Sequence, residues 1–478
     1  MNRNCCTRRE LLAHGTTAGL AGIALQYLLG RETTVTAGES VPAAHRSINP
    51  LAPKPTHFAA RADSVIFLMM EGGPSQVDTF DPKPALERVH GELFQRENVK
   101  TNQVKGNRHF VRSPFSFRSY GECGMQVSEL FAETAQHVDD IAFIRSAYGE
   151  SDNHPAAVFQ YTTGYPIQGH PSMGSWIVYG LGCENENLPA FVVLRDGKPF
   201  GGTTSWGNGF LPATYQGVQF RGGDKPVLDL APPAAVSRER QQETLRLVQA
   251  LNGEHLQRRT EFADLVSRIA SYELAFRMQS EIPKAIDLTA ETAATHKLYG
   301  LDADTTRAFG SRCLLARRLI EQGVRFVQIW SGGWDSHDDV ATGHRNAAAQ
   351  VDRPIAGLLA DLKQRGLLER TLVVWGGEFG RTVDTTEAAF KKQKPGRDHN
   401  PRAMTIWFAG GGVRRGTVLG ATDEFGERAA EQRHHLKDVH ATLLHLLGLD
   451  HERLSAYHGG RFQRLTDIGA AIIPELIG

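Results

Sequence analysis

Residues 64–70, with the sequence SVIFLMM, form an apolar run that ends in Glu71 and two glycines. Because successive side chains of a strand point to opposite faces, a run that is apolar on both sides predicts a strand buried on both faces. Similar runs follow at 139–147, 188–194, 324–330, 371–377 and 403–410. Together they predict the central strands of one buried sheet.

Amphipathic helical patterns lie between these runs. Residues 305–323 and 348–366 repeat apolar side chains every three or four positions, and each segment leads into an apolar run. Such alternation is typical of an α/β fold with a mostly parallel sheet and helices on both faces. A longer helical stretch at 238–279 predicts a helical insertion at about 235–300 within a single domain that spans 45–478.

The composition is that of an ordinary globular protein. The 478 residues are 41% hydrophobic and 22% charged, and the formal net charge is zero. A neutral chain argues against nucleic acid or an anionic membrane as a partner. After the N-terminal region no run is apolar for about 18 residues, so no transmembrane span is expected in the mature form.

The first 44 residues have the pattern of an export signal and a linker. Arg8 and Arg9 precede a weakly apolar segment, rich in glycine and alanine, at 18–29. This pattern is typical of a twin-arginine signal, with cleavage after Ala37 or Ala44. It predicts that the twin-arginine export machinery delivers the protein to the periplasm or the extracellular space. A buried N-terminal helix is the alternative.

Polar side chains follow several of the predicted strands. In open α/β sheets, ligands bind outside the carboxyl ends of the strands. The informative positions are therefore Glu71, the segment 145–154, Asp335 with His337, and Glu378 with Arg381. We expect these positions to meet at one edge of the sheet.

The segment after residue 330 is rich in potential metal ligands. Asp335 and His337 follow two glycines, and a carboxylate and an imidazole on one short loop can bind one cation at about 2.0–2.2 Å. Asp338, Asp339 and His344 are further candidates. The alternative is a capped helix start, because aspartate is favoured at that position.

Two other segments add candidates for the same site. Glu378 lies in a glycine loop, where a buried carboxylate needs either a metal or a cation such as Arg381. The pair Asp398-His399 precedes the apolar run at 403–410. Carboxylates and imidazoles together are compatible with zinc, manganese or calcium, so the sequence predicts a divalent metal without fixing its identity.

His154 is the candidate for a group that faces the substrate. It follows Asp152 and Asn153 and precedes Pro155, which is typical of the first turn of a helix. Helix N-termini attract anions, so a residue there is a candidate nucleophile or oxyanion donor. A capping role for Asp152 or Asn153 is the alternative.

Several long motifs, in order, resemble the exported family called domain of unknown function 1501, whose members are often labelled sulfatase-like. The resemblance runs from about Ser64 to the C-terminus and rests on GGPSQVDTFDPKP, PSMGSWIVYGLG, GGWDSH, GEFGRT, GRDHNP and AGGGVRRGTVLGATDEFG. That family in turn resembles the alkaline phosphatase superfamily of sulfatases, phosphodiesterases and phosphomutases. The resemblance implies an alkaline-phosphatase-like, or sulfatase-like, core.

The superfamily pattern also implies roles for residues of this chain. Glu71 stands where the superfamily has a metal-binding aspartate after the first strand. Asp335 and His337 resemble a later pair of metal ligands. Glu378 stands at an acidic ligand position, and His399 matches a histidine before the last core strand.

One departure from the sulfatase pattern affects the chemistry. The segment HPAAVFQYTTGYP resembles the end of the sulfatase motif, but His154 stands where sulfatases have the cysteine or serine that becomes formylglycine. A hydrolase of this sequence must therefore use metal-activated water, or His154 as nucleophile or general base.

These observations predict an exported metal-dependent hydrolase of phosphate or sulfate esters. Its substrate would be an anionic ester, either a small molecule or a polysaccharide, with Arg145 and Arg381 binding the anion. His399→Ala is expected to lower metal occupancy, and His154→Ala to leave metal bound but remove turnover. The alternative is a non-catalytic exported protein, for binding or in the cell envelope, on a degenerate sulfatase-like scaffold.

Overall fold

The apolar runs form the centre of a nine-stranded sheet in the part of the chain that the computed structural model describes. That part comprises residues 49–94, 107–222, 226–227, 230–232, 235–258, 263–466 and 468–478. The predicted export signal and its cleavage sites, within 1–44, lie outside the described residues. The division into a signal and one domain stays a prediction.

The strands are short outside the main sheet. In chain order they are β1 (Ser64–Met70), β2 (Arg108–Phe110), β3 (Phe117–Tyr120), β4 (Met125–Ser128), β5 (Ile141–Tyr148), β6 (Phe191–Leu194), β7 (Val218–Phe220), β8 (Phe326–Ser331), β9 (Thr371–Gly376), β10 (Gly380–Arg381), β11 (Asp384–Thr386), β12 (His399–Asn400), β13 (Met404–Ala409), β14 (Thr417–Leu419), β15 (Ala421–Thr422), β16 (Ala429–Glu431), β17 (His434–His435), β18 (Ala456–His458) and β19 (Arg461–Gln463).

The order of the main sheet is β14-β5-β13-β9-β1-β8-β6-β7, with β17 also beside β5. Among the described residues, every neighbouring pair is parallel except that β13 is antiparallel to both β5 and β9. The predicted α/β class with a mostly parallel sheet is confirmed. Because β13 runs in the opposite direction, the residues before it lie at the edge where β1, β5, β8 and β9 end.

The α-helices vary from one turn to seven. They are α1 (Gln76–Thr79), α2 (Ala85–Arg88), α3 (His154–Thr163), α4 (Met173–Leu181), α5 (Arg238–Arg258), α6 (Ala263–Ile286), α7 (Ala293–Leu298), α8 (Asp304–Glu321), α9 (Val340–Gln364), α10 (Glu387–Lys391) and α11 (Leu436–Leu446). None of the helices in the described ranges is both long and apolar enough to cross a membrane.

Strand β1 is buried on both faces, as its sequence predicts. Its side chains alternate between two apolar clusters, one with Val65, Phe67 and Met69 and the other with Ile66, Leu68 and Met70. Apolar side chains of α4 and α11 belong to the first cluster, and those of α8 and α9 to the second. Helices therefore cover both faces of the sheet, and burial of their apolar side chains stabilises the fold.

Helix α11 includes a histidine that the fold keeps neutral. His440 is buried, and its Nε2 lies 2.9 Å from the backbone oxygen of Tyr161. Burial lowers the pKa of His440 to about 4. In an unfolded chain a histidine titrates near pH 6.5, at about its ordinary pKa.

We expect the free energy of unfolding to fall as the pH is lowered from about 6.5 to about 4. In that window the unfolded chain binds a proton that folded His440 does not, so acid favours unfolding by up to about 3 kcal/mol. Urea denaturation of the wild type and His440→Gln at both ends of this window measures the effect. The variant should lose less stability in acid, and equal losses in the two proteins would contradict the prediction.

Candidate metal centre

Four side chains from three distant segments meet at one edge of the sheet. His154 begins α3, after β5, and Asp335 and His337 follow β8. His399 precedes β13, and the antiparallel direction of that strand brings it to the same edge. One ligand atom from each of these residues lies within 4.8 Å of all the others. We call this group the four-residue cluster.

The Nε2 atoms of the three histidines all face the carboxylate of Asp335. The Nε2 atoms of His337 and His399 lie 3.0 and 3.2 Å from its Oδ1, and 3.0 Å from each other. His154 Nε2 lies 3.3 Å from its Oδ2. The four residues thus present nitrogen and oxygen atoms to one small volume.

The other ring nitrogen of each histidine has an oxygen partner. His154 Nδ1 lies 2.7 Å from Glu378 Oε1, and His337 Nδ1 lies 2.8 Å from Asp398 Oδ1. His399 Nδ1 lies 2.6 Å from the backbone oxygen of Asp152. Since these oxygens are acceptors, the neutral rings carry their protons on Nδ1. Histidines that bind metals are usually fixed in this way.

When all three rings are neutral, this proton arrangement leaves three Nε2 lone pairs directed at one place. Lone pairs that face each other at 3.0 Å repel unless a proton or a cation lies between them. His154 Nε2 is in addition buried and makes no hydrogen bond, which costs free energy. The donor set and its geometry therefore fit a divalent cation.

Charge in the cluster shifts the pKa values of its members. Burial acts to raise the pKa of Asp335, but its close contacts with the three histidines and the charge of Arg381 outweigh it and hold that pKa well below its usual range. Hydrogen bonds to Asp335 and Asp398 raise the pKa of His337 to about 9. Burial opposes the charged form of His154, yet its carboxylate neighbours raise its pKa overall. Burial lowers the pKa of His399.

Gly72, after β1, allows the loop after β8 to come close. A Cβ atom on Gly72 would lie 2.5 Å from the backbone nitrogen of Asp335, and φ at Gly72 is +112°. A side chain at this position would therefore clash with the loop and strain the backbone. The glycine after β1 thus helps to place Asp335.

Two predicted metal ligands lie beside the cluster rather than in it. Glu378 is buried and accepts hydrogen bonds from the Gly72 N–H (3.0 and 3.2 Å) as well as contacting His154. Glu71 forms an ion pair with Arg195, in which Glu71 Oε2 lies 2.7 Å from Arg195 Nη2. Its Oε1 accepts a hydrogen bond from the Phe200 N–H at 2.7 Å. Both carboxylates thus already have partners within the protein.

The two predicted anion-binding arginines also have protein partners. Arg381 is fully buried and donates to Asp335 Oδ1 (2.6 Å) and to the backbone oxygens of Gly72, Gly73 and Arg397. It therefore offsets the charge of Asp335 and joins the loops that form the site.

Arg145 lies within β5 and points away from the edge. Its Nη2 lies 3.4 Å from Met125 Sδ, and its Nε lies 4.0 Å from Asp81 Oδ1. These contacts are on the face of the sheet, and no described contact joins Arg145 to the four-residue cluster.

The further candidates near residue 340 have structural roles. Asp339 caps α9, where its carboxylate accepts a hydrogen bond from the Thr342 N–H at 3.1 Å. His344 is buried and accepts a hydrogen bond from the Ser75 N–H at 2.9 Å. Asp338 is exposed and outside the cluster. The capped helix start is therefore the correct interpretation for Asp339.

Sequence reasoning named Asp398 and Glu378 as possible metal ligands but did not identify them as partners of the histidines, and it did not identify Phe200. Asp398 holds His337, and its position next to His399 was the only available signal. Phe200 stacks on His154, with ring centroids 4.1 Å apart. Nothing in the sequence around Phe200 indicated this contact, because it depends on how the loop after β6 folds back.

Comparison with known proteins gives one sequence family and several solved structures. The model of a family described as "Protein of unknown function (DUF1501)" matches residues 62–477. No curated protein matches the sequence.

The similar solved structures have low sequence identity to this chain. A lipoteichoic acid synthase from Listeria monocytogenes is 9% identical, with a TM-score of 0.38, over 88% of this chain and 80% of that one. The PsFucS1 sulfatase from Pseudoalteromonas sp. is 14% identical, with a TM-score of 0.34, over 81% and 68%. The alkaline phosphatase of the Antarctic bacterium TAB5 is 11% identical, with a TM-score of 0.31, over 73% and 92%.

Proposed function

The chain belongs to the DUF1501 family of proteins of unknown function, and we propose that it is a metal-dependent hydrolase of phosphate or sulfate esters. The observation that carries this proposal is the convergence of three imidazole Nε2 atoms on the Asp335 carboxylate, with every Nδ1 held by an oxygen. Sites of this kind commonly serve metal-assisted hydrolysis.

His154, Asp335, His337 and His399 would hold one divalent ion. His154 would then be a metal ligand instead of the substrate-facing group expected from the sequence, so His154→Ala should lower metal occupancy as His399→Ala does. Three nitrogen donors favour zinc or manganese over calcium, which takes oxygen ligands. When bound, such an ion supplies a Lewis acid that polarises an ester oxygen and activates water. Glu71 and Glu378 would act from outside the ligand set, Glu378 by orienting His154.

The accessible side of the cluster is formed by Asp335 and His337. Their side chains are 32% and 41% exposed, whereas His154 and His399 are 11% and 6% exposed. An anionic ester, free or part of a polysaccharide, would therefore approach past Asp335 and His337. Arg381 lies behind Asp335, where its charge makes the site less repulsive to an anion.

Elemental mass spectrometry of the purified protein, followed by a panel of aryl phosphates and sulfates, tests the proposal. We expect about one equivalent of zinc or manganese, since the four donors surround a single place and a further coordination position would remain for water or substrate on the exposed side, and we expect turnover to stop after chelation. Well-folded protein with no metal would contradict the proposal as a whole.

Replacing Glu378 tests the role given to it. Glu378→Gln removes the charge that fixes His154 Nδ1 and should weaken metal binding about 10- to 100-fold. Competition with a coloured chelator measures the affinity. Glu369→Gln is the control, because Glu369 precedes the same strand and is exposed. Wild-type affinity in both variants would show that Glu378 does not support the site.

A second candidate function is a metal-binding protein without turnover. The observation that favours it is that Arg145 and Arg381, the cations expected to bind the anion, are both engaged elsewhere. One equivalent of metal with no hydrolysis of any ester in the panel would support this candidate and exclude the hydrolase.

We also propose that the protein is exported by the twin-arginine pathway. The support is the Arg8-Arg9 pair followed by a weakly apolar segment. Replacing both arginines by lysine should keep the protein in the cytoplasm, as measured by cell fractionation. Export of this variant at the wild-type level would contradict the proposal.

A further inference from the structure

A large aromatic side chain lies exposed beside the four-residue cluster. The ring of Phe200 stacks on the ring of His154, with centroids 4.1 Å apart and planes inclined by 17°. Phe200 is nevertheless 47% exposed. Isolated exposed apolar residues are common, but an exposed ring stacked on a candidate metal ligand calls for an explanation.

The position of Phe200 is fixed by a buried ion pair. Its backbone N–H donates to Glu71 Oε1 at 2.7 Å, and Glu71 Oε2 accepts from Arg195 Nη2 at 2.7 Å. The Arg195 guanidinium in turn lies 4.7 Å from the centre of the Trp330 ring. Buried charges are costly unless they are paired. A movement of the loop would break the contacts of Glu71 with Arg195 and Phe200, so the ion pair holds the loop in place.

Shielding of His154 does not by itself require Phe200. The buried ring of Phe379 already packs against the ring of His154, with centroids 4.9 Å apart. The ring of His399 also contacts the His154 ring, with centroids 4.2 Å apart. The exposed part of Phe200 therefore remains available to a molecule that enters beside Asp335 and His337. A flat aromatic face at this place can stack on another flat apolar face.

We propose that Phe200 is a specificity-determining residue that contacts the group esterified to the anion. The group that fits is one with a flat apolar face, either an aryl ring or the face of a pyranose ring. This inference rests on the proposed function, because it requires the anion to lie at the four-residue cluster. The Glu71–Arg195 pair then has a positioning role, since it holds the loop that presents the ring.

Binding of non-hydrolysable probes to the metal-loaded protein tests the inference. The probes are phenylphosphonate, a glucosyl methylphosphonate and methylphosphonate, with benzenesulfonate and methanesulfonate as the corresponding sulfonates. We expect one ring-bearing probe to bind about 3- to 10-fold more tightly than its methyl counterpart, the range for one aromatic contact. Tighter binding of the phenyl probe would indicate that the esterified group is an aryl ring, and tighter binding of the glucosyl probe would indicate a pyranose.

Variants of Phe200 separate recognition from shielding. Phe200→Ala and Phe200→Leu should both lose the preference for the ring, while Phe200→Tyr should keep it. Leucine preserves apolar cover over His154 without a flat face, so a shielding role would not predict the loss in Phe200→Leu. Tyr457→Ala, at an exposed aromatic residue of β18, is the control. Metal content should stay at the wild-type level in the leucine and tyrosine variants.

The two ways in which this experiment can fail are different. If the probes bind but the ratio of ring to methyl affinity is the same in the wild type and Phe200→Leu, Phe200 only covers His154 and the inference is wrong. If neither phosphonates nor sulfonates bind to the metal-loaded protein, the anion does not lie at the cluster. In that case the proposed function fails, and the inference fails with it.

Discussion

Asp335→Asn is expected to lower the affinity for the divalent metal by more than about 100-fold, beyond the effect of losing a supporting group. The side chain keeps its shape but loses the charge that lies within 3.3 Å of three imidazole nitrogens. Without it the site presents three neutral donors and a buried guanidinium, Arg381, which repels a cation. Titration with zinc or manganese against a chelator measures the loss.

Asp338→Asn is the matched control for this experiment. Asp338 lies in the same loop, is exposed and lies outside the cluster, so the substitution makes the same change of charge at nearly the same place. Its metal affinity should stay within about threefold of the wild type, because exposed charges are screened. A similar loss in both variants would mean that loop charge in general, rather than Asp335, attracts the metal.

Asp78→Asn is expected to lower the free energy of unfolding by about 3–5 kcal/mol. Asp78 and Arg397 are both fully buried, with Arg397 Nε 2.6 Å from Asp78 Oδ2 and Nη2 3.2 Å from Oδ1. The substitution leaves the guanidinium without its counter-charge in the protein interior. Urea denaturation at neutral pH measures the change.

Glu424→Gln is the control for this ion pair. Glu424 forms an ion pair with Arg88 at 2.6 Å, but both side chains are exposed. Its loss should cost no more than about 0.5 kcal/mol. Equal effects of the two substitutions would show that the buried pair contributes no more than a surface pair.

The same ion pair predicts acid sensitivity. Burial alone would raise the pKa of Asp78, but Arg397 lowers it overall. The contribution of the pair is therefore present above the pKa of an unfolded aspartate, about 3.9, and is lost as the pH falls below it. The difference in stability between the wild type and Asp78→Asn should shrink in this acid range.

The core of the fold could be predicted because its central strands are mostly apolar on both faces. The runs at 64–70, 324–330 and 371–377 correspond to β1, β8 and β9, the centre of the sheet. Strands β7, β14 and β17 have two or three residues and partly exposed side chains, so they have no such signal. The reversed direction of β13 is also absent from the local pattern, because it depends on the path of the chain.

Site residues could be predicted from the sequence where a position next to a strand end is enough to place the side chain at the edge of the sheet. Asp335, His337 and His399 lie next to strand ends, and the sheet brings them together. Arg145 did not follow this rule, because β5 continues to Tyr148 and Arg145 lies inside the strand. Its side chain therefore points to a face of the sheet instead of the edge.

Glu71 shows a different limit of sequence reasoning. Its position after β1 is the one expected, but its partner Arg195 follows β6, two strands away in the sheet. Which cation a buried carboxylate finds depends on strand order and on the path of the loop between 195 and 200. Neither can be read from the spacing of residues along the chain.

The wide separation of the cluster residues, from 154 to 399, has a consequence for biosynthesis. A nascent chain lacks one of the four donors until most of the polypeptide has left the ribosome and β13 has joined the sheet. Metal loading would therefore be a late event that reports completed folding. If, as proposed, the protein binds this ion and is exported after folding, the cytosolic metal pool would decide which ion it carries, rather than the compartment in which the protein works.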